Sequence, residues 1–184
     1  FDVPSLDGSG NALGVGSTIE GLALACKDSG GNDSPTGICD TTQSKFYILL
    51  DQGGDVPDVV MRTSHAGAYE SHDTLSGLAS VKAGGNALPS NATSKLNGIV
   101  YSGGNLFIAD NGNYSYNTLK LNSSQDNAIL RVTPSNLTVN MIVNFESQSS
   151  TTKGLAADPG GNIRFNNNMY RSVSSSDGSE NWSE

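Results

Sequence analysis

The chain contains 184 residues with a formal net charge of −8, of which 35% are hydrophobic and 22 are glycine. This length fits one domain with a buried core, so we expect a single domain over residues 1–184. The excess of 18 Asp and Glu over 10 Lys and Arg residues argues against a nucleic-acid partner, and the absence of an apolar run of roughly 20 residues argues against a membrane span.

The first predicted unit covers residues 19–63. Short apolar runs at residues 19–24, 46–50 and 59–63 are bounded by Gly, Asn, Asp and Ser, and none shows the three- and four-residue spacing of a helix. This pattern indicates short strands and an all-β chain. An irregular connector is expected to follow at residues 64–95.

Two cysteines, Cys26 and Cys39, flank a loop at residues 27–38 that is rich in Gly, Asp, Ser and Asn. The loop has no apolar face of its own, and a disulfide that closed it would contribute roughly 3 kcal/mol. The alternative is two unrelated buried thiols. A structural zinc site needs four Cys or His ligands, and His65 and His72 do not complete one with this spacing.

Two further units are predicted at residues 97–145 and 153–175. In the first of them, two short strands are joined by the Gly-Gly-Asn turn at residues 103–105, and an insertion at residues 114–127 precedes the remaining strands. The last unit opens with Lys-Gly-Leu-Ala and ends in a polar tail. The three copies predict a repeat protein of about three four-stranded units.

The units resemble the blades of NHL-type and gluconolactonase-type six-bladed β-propellers. The resemblance depends on the Gly-Leu-Ala segments at residues 21–23 and 154–156, the Ala-Asp strand end at 109–110 and the Ile-Leu-Arg-Val strand at 129–132. The opening at residues 19–23 also looks like that of the esterase-like or phytase-like propellers. The similarity covers about two thirds of the chain.

This resemblance implies a propeller-like fold of about three blades. Propellers close with four to eight blades, so the ring would be incomplete. The chain would then be part of a larger propeller, or an arc whose exposed edges are covered by its own terminal strands or by other subunits. A plain β-sandwich is the alternative fold.

In gluconolactonase-type propellers, residues that directly precede the glycine of each innermost strand hold a divalent metal. The resemblance therefore implies Glu20 and Asn97 as metal ligands, with Ser76 as a further position in the connector. Lys153 departs from the pattern, because an ammonium group has no lone pair to donate. Glu20 could instead pair with Lys153 in a purely structural role.

Acidic turns are a second candidate cation site, because carboxylate and amide oxygens are calcium ligands. They do not match the EF-hand loop, and Asp and Asn also form ordinary turns. The sequence predicts no cofactor, with calcium at these turns as the alternative. The carboxylates concerned are Asp51, Asp55, Asp58 and Asp110.

Asn-X-Ser/Thr sequons are spread along the chain. Together with the expected disulfide and the acidic, polar composition, they favour an extracellular or cell-surface glycoprotein. The candidate N-glycosylation sites are Asn32, Asn91, Asn113, Asn122, Asn136 and Asn181.

No catalytic residue is predicted, because no nucleophile with a distinctive local motif accompanies the two histidines. Aromatic residues among polar neighbours are candidates for contacts with sugars or proteins; they are Tyr114, Tyr116, Tyr170 and Trp182. The sequence thus favours a non-enzymatic extracellular module that acts by self-association or by binding another protein or a glycan. A metal-dependent hydrolase of the lactonase or phosphoesterase kind is the alternative.

Overall fold

A computed structural model describes residues 17–51, 58–74, 95–112, 114–115, 120–121, 127–145, 153–158, 162–166, 170–174 and 180–182. Within these ranges the chain is all-β and contains no helix, which confirms the all-β part of the predicted fold class. No described helix is therefore long and apolar enough to cross a membrane.

The strands are short and follow one another along the chain. They are β1 (Thr18–Ala25), β2 (Lys45–Asp51), β3 (Val59–Ser64), β4 (Tyr69–Asp73), β5 (Leu96–Ser102), β6 (Asn105–Asp110), β7 (Tyr114–Ser115), β8 (Lys120–Leu121), β9 (Asn127–Thr133), β10 (Thr138–Phe145), β11 (Lys153–Ala157), β12 (Asn162–Asn166), β13 (Tyr170–Ser174) and β14 (Glu180–Trp182).

Among the described residues, the strands form three four-stranded antiparallel sheets and one small hairpin. The first sheet has the order β1-β2-β3-β4, the second β5-β6-β9-β10 and the third β11-β12-β13-β14. The hairpin of β7 and β8 is inserted between β6 and β9. Each four-stranded sheet is thus an antiparallel meander. We call the first strand of each sheet, β1, β5 or β11, its inner strand.

The second sheet is packed on both of its faces. On β6, Leu106 and Ile108 belong to a core shared with the first sheet, whereas Phe107 and Ala109 belong to a core shared with the third sheet. Successive side chains of a strand point to opposite faces. A strand buried on both faces needs apolar residues at every position, which explains the uninterrupted run Leu-Phe-Ile-Ala.

Strand β4 lies within the segment that the sequence predicted to be an irregular connector, residues 64–95. Its residues show no apolar alternation, because β4 lies at the outer edge of the sheet. Polar contacts hold it instead: the Glu70 carboxylate forms ion pairs with Lys45 on β2 and with Nε of Arg62 on β3, the latter at 3.0 Å. Likewise, β14 lies in the polar tail that follows the third predicted unit.

Candidate functional site

Each inner strand carries a register shift at the same place, where the inner strand has one residue more than the second strand with which it pairs. Such a β-bulge re-aims the side chain next to it. Gly98 and Gly154 have φ angles of 90° and 61°, which residues with a side chain rarely adopt. The residue pairs at these shifts are Glu20-Gly21, Asn97-Gly98 and Lys153-Gly154.

The same glycines bring the inner strands into close contact. A Cβ atom on Gly21 would lie 2.9 Å from Cγ2 of Ile99 and 3.3 Å from Cα of Gly98. A Cβ atom on Gly98 would lie 3.7 Å from both the backbone nitrogen of Gly154 and Cγ of Leu155. The bulge glycine of one inner strand therefore packs against the bulge glycine and the following apolar residue of the next inner strand. We call this arrangement the glycine step.

The residues predicted as metal ligands lie at these bulges. Glu20 is half-buried and its Oε1 accepts a hydrogen bond of 3.0 Å from Oγ1 of Thr18, and Asn97 is half-buried at the equivalent position of β5. Lys153 starts β11, and Ser76 lies outside the described residues. In the part of the chain that the structure describes, no group of three or more His, Cys, Asp or Glu side chains is arranged to hold a metal.

Two of the predicted calcium ligands hold the start of β5. Oδ2 of Asp58 accepts a hydrogen bond of 2.7 Å from the backbone N–H of Leu96. Oδ1 of Asp110 accepts hydrogen bonds from the backbone N–H groups of Lys95, at 3.1 Å, and Gly112, at 2.9 Å. Both carboxylates are buried, and these bonds satisfy them where water does not reach.

The remaining two predicted calcium ligands are Asp51 and Asp55. Asp51 is half-buried at the end of β2, and Asp55 lies outside the described residues. The prediction of a calcium site stays a prediction.

The disulfide between Cys26 and Cys39 is present, as predicted, with an S–S distance of 2.04 Å. Inside the loop that it closes, Oδ1 of Asp28 accepts hydrogen bonds of 2.9 Å from the backbone N–H groups of Gly30 and Asn32. The loop is therefore ordered by a covalent bond and by local polar contacts, and not by an apolar core of its own.

A polar cluster fastens this loop to the second sheet. Nζ of Lys27 lies 2.7 Å from Oδ1 of Asp33 and 5.2 Å from the ring centre of Tyr101 on β5, and the Tyr101 hydroxyl donates a hydrogen bond to the same carboxylate. Partial burial opposes ionisation of Asp33, but the bonds from Lys27 and Tyr101 prevail and lower its pKa. Burial and the nearby carboxylate both raise the pKa of Tyr101.

The described sequons lie in exposed turns. Asn32 is exposed in the disulfide loop, and Asn136 is exposed in the turn between β9 and β10, where its Oδ1 accepts a hydrogen bond of 3.1 Å from the backbone N–H of Thr138. The side chain of Asn181 in β14 is outside the description, and so are the other three sequon residues, Asn91, Asn113 and Asn122.

The two histidines contact aromatic residues of the first sheet. The ring of His65 stacks on Phe46 with 5.7 Å between ring centres, and Nδ1 of His72 lies 2.8 Å from the hydroxyl of Tyr69. Of the aromatic residues predicted to make contacts, Tyr114 lies in β7, Tyr170 in β13 and Trp182 in β14, and the structure does not describe their side chains. The fourth, Tyr116, lies outside the described residues.

Sequence reasoning did not single out an apolar surface on the first sheet. Ile19 and Leu22 of β1 are 53% and 58% exposed, and with the half-buried Phe46 and the buried Ile48 of β2 they line a groove of about 220 Å³. We call these four residues the end face. The sequence of β1 does contain a signal for this surface. Leu22 and Leu24 alternate with Ala23 and Ala25, so both faces of the strand are apolar, which is typical of a strand that is covered on both sides.

The end face has an equivalent in each of the other sheets. Leu22 follows the bulge glycine and pairs with Ile48, just as Ile99 pairs with Ile108 in the second sheet and Leu155 with Phe165 in the third. Ile99 and Ile108 are buried against the first sheet, and Phe165 is buried against the second. In these two sheets, the equivalent residues therefore form the contact with the preceding sheet.

No protein-family model and no curated protein matches this chain. A crystal structure of a protein of unknown function from Bacteroides caccae is similar, with 12% sequence identity and a TM-score of 0.49. The similarity covers 94% of this chain and 47% of that chain, so the chain spans about half the length of that protein.

Proposed function

We propose that this chain is a non-enzymatic module of an extracellular protein, built from three propeller-like blades in an incomplete ring, and that it acts by assembly through its end face. The observation that carries the proposal is the exposure of Leu22, at 58%, at a position whose equivalents pack against a neighbouring sheet. A surface of this kind is one that a further protein surface would cover.

The energetics favour a contact role for the end face. Large aliphatic side chains gain about 1.5–3 kcal/mol each when they pass from water to a fully buried environment. Ile19 and Leu22 forgo about half of that gain in the isolated chain. Contiguous exposed apolar patches mark protein contacts or ligand-binding grooves, and the former fits a surface without a catalytic side chain among its four residues.

Two features support the extracellular setting. A disulfide such as Cys26–Cys39 persists in oxidising compartments. The sequon residues Asn32 and Asn136 are exposed in turns, where a glycan could be attached without disturbing the core.

A site-specific crosslinking experiment tests the proposal. A photo-activated crosslinking amino acid is placed at Leu22, and a matched variant carries it at Ile38, an apolar residue of the disulfide loop that is 76% exposed. In the secreted protein, we expect crosslinks to a protein from position 22 and not from position 38. Equal yields of crosslinks at both positions would contradict the assembly role.

A metal-dependent hydrolase is the second candidate, supported by the equivalent placement of Glu20 and Asn97 at two bulges. It requires both side chains to bind a divalent cation. Titration calorimetry with calcium and manganese tests this candidate. Binding that is lost in Glu20→Gln and Asn97→Ala would support it, and an absence of binding to the wild-type chain would exclude it.

A further inference from the structure

We propose that a cleft between the first and second sheets binds a neutral sugar ring. The cleft has a volume of about 110 Å³ and lies between strands β3 and β4 of the first sheet and the β9–β10 turn of the second. The residues that line it differ from those of the end face. The inference therefore goes beyond the proposed function and does not depend on it.

The first argument is a change of polarity along the face of the first sheet that lines the cleft. Tyr47 on β2, Arg62 on β3 and Ser71 on β4 pair in register, so they form one row across the sheet. Val60 and Asp73 form the neighbouring row on the same face, because they lie two residues away along β3 and β4. Tyr47 and Val60 belong to the core shared with the second sheet, whereas the residues on β4 are polar. The cleft thus has an apolar inner end and a polar outer end.

The second argument is the balance of charge at the polar end. Oε2 of Glu70 lies 3.0 Å from Nε of Arg62, so a carboxylate already compensates the guanidinium. That Nε atom is buried and forms no hydrogen bond among the described residues. Asp73 adds a second carboxylate, whose Oδ1 accepts a hydrogen bond of 2.8 Å from the backbone N–H of Thr74. Two carboxylates disfavour an anion in the cleft, and the guanidinium disfavours a cation.

A neutral ligand with several hydroxyl groups fits this set of side chains. Arginine only donates hydrogen bonds, a carboxylate only accepts them, and the hydroxyl groups of Ser71 and Tyr47 do both. Each hydroxyl group of a sugar also does both, so it can bind next to any of these partners. The C–H groups on the two faces of a sugar ring suit the apolar lining, which Val60, Pro134 and Leu137 provide.

The third argument is the strained turn that closes the cleft. Leu137 has a φ angle of 52°, in the left-handed region that residues with a side chain rarely adopt. Its N–H donates a hydrogen bond of 2.9 Å to the carbonyl oxygen of Thr133, and its side chain is buried in the core shared by the first two sheets. Strained residues that the surrounding structure holds in place are frequent at ligand-binding sites, where they preform the site.

The volume of the cleft limits the size of the ligand. About 110 Å³ is several times the space that one ordered water needs. It is smaller than the pockets that enclose drug-sized ligands. One ring therefore fits, whether it is a free monosaccharide or the last ring of a glycan.

A saturation-transfer titration by nuclear magnetic resonance tests the inference. It uses the full chain produced without N-glycans, because the sequon residue Asn136 lines the cleft. The probes are glucose, galactose, mannose and N-acetylglucosamine, each as the free sugar and as the end of a neutral oligosaccharide. We expect at least one to bind, with a dissociation constant on the order of 1 mM for the free sugar. Tighter binding of the oligosaccharide would identify the source as a glycan, and equal binding would identify it as a free sugar.

Substitutions at the polar end place the sugar in the cleft. Asp73→Ala and Ser71→Ala are each expected to raise the dissociation constant about tenfold, because each change removes a hydrogen-bond partner of the sugar. Asp73 is exposed, and circular dichroism shows whether each variant keeps its β-sheet. Asp28→Ala is the matched control, since this carboxylate lies in the disulfide loop, and it is expected to bind as the wild type does.

Three results would overturn the inference. One is the absence of binding to all of the sugars. Another is binding that is lost in Asp28→Ala and unchanged in Asp73→Ala, which would place the sugar at the disulfide loop. The last is binding of inorganic phosphate or calcium in place of the sugars, which would identify an ion site. Crosslinking from position 22 does not depend on any of these results, so failure of this inference is distinguishable from failure of the proposed function.

Discussion

At the scale of single residues, the buried carboxylates Asp58 and Asp110 show how the chain starts its second sheet. They accept hydrogen bonds from the backbone N–H groups of the consecutive residues Lys95 and Leu96. These donors lie at the beginning of an inner strand, where the pairing with the second strand is not yet regular. Each carboxylate therefore fixes the entry of the chain into the sheet.

Replacing Asp110 by alanine is expected to lower the free energy of unfolding by about 2–4 kcal/mol, because the change removes a buried acceptor and leaves two backbone donors, the buried Gly112 and the part-buried Lys95, without this partner. Asp28→Ala is the matched control, since Asp28 also accepts two backbone hydrogen bonds but lies in an exposed loop. It is expected to cost about 1 kcal/mol. Chemical denaturation measures both, and equal losses would contradict this view of Asp110.

A second residue-scale prediction concerns pH. The backbone N–H of Asn162, with further hydrogen bonds from the Asn162 side chain and from Arg164, lowers the pKa of Asp158 from 3.8 to about 2. A carboxylate with a lowered pKa in the folded state stabilises that state above pH 3.8 and loses this contribution as the pH falls to about 2.

The variant Arg164→Ala removes only one of these partners. We therefore expect the pKa of Asp158 to rise in this variant but to stay below 3.8, because the backbone bond remains. Titration followed by nuclear magnetic resonance measures it. A pKa at or above 3.8 in the variant would show that Arg164, and not the backbone, is the main cause.

At the scale of elements, the glycine step joins one sheet to the next. A β-carbon at position 21 would be too close to Ile99, at 2.9 Å from its Cγ2 and 3.1 Å from its backbone nitrogen. The side chain could rotate away, but the backbone nitrogen could move only with its strand. The distance between β1 and β5 is therefore set by a glycine.

Gly21→Ala is expected to lower the free energy of unfolding by about 1–3 kcal/mol, because overpacking forces the two inner strands apart. Gly30→Ala is the control, since its added carbon would contact only the side chains of Asn32 and Asp28 in an exposed loop. Thermal unfolding of both variants checks this. A loss in Gly30→Ala as large as that in Gly21→Ala would contradict the role of the glycine step.

The strands that the sequence predicted are those with apolar side chains. The central strands β2 and β6 and the disulfide loop were predictable, because burial on both faces leaves continuous apolar runs and two cysteines flank a loop without a core. Strands β4 and β14 were not, because outer strands are held by backbone pairing and by ion pairs such as Arg62–Glu70, which leave no apolar period.

The end face was not predictable for a different reason. Leu22 belongs to a strand whose apolar residues on both sides suggest full burial, and the sequence does not show that a neighbouring sheet covers one side only. The sequence predicted that Glu20 and Asn97 directly precede glycines of innermost strands. The structure shows in addition that a β-bulge lies at each of these positions.

At the scale of the whole molecule, the described sheets are three copies of one unit placed side by side. The second sheet is covered on both faces, and the first leaves Leu22 exposed at the position where the second sheet buries Ile99. A repeat cannot bury its own end faces, and natural repeat arrays protect theirs with capping units or by closure.

Hydroxyl-radical footprinting of the wild-type chain, in the secreted material and after purification to a single chain, tests this account most directly, because it reports the solvent access of single side chains in solution. The account predicts that Leu22 and Phe46 react less in the secreted material than in the purified chain, whereas Ile38 in the disulfide loop reacts at the same rate in both. Reactivity of Leu22 that is as high in the secreted material as in the purified chain would contradict it.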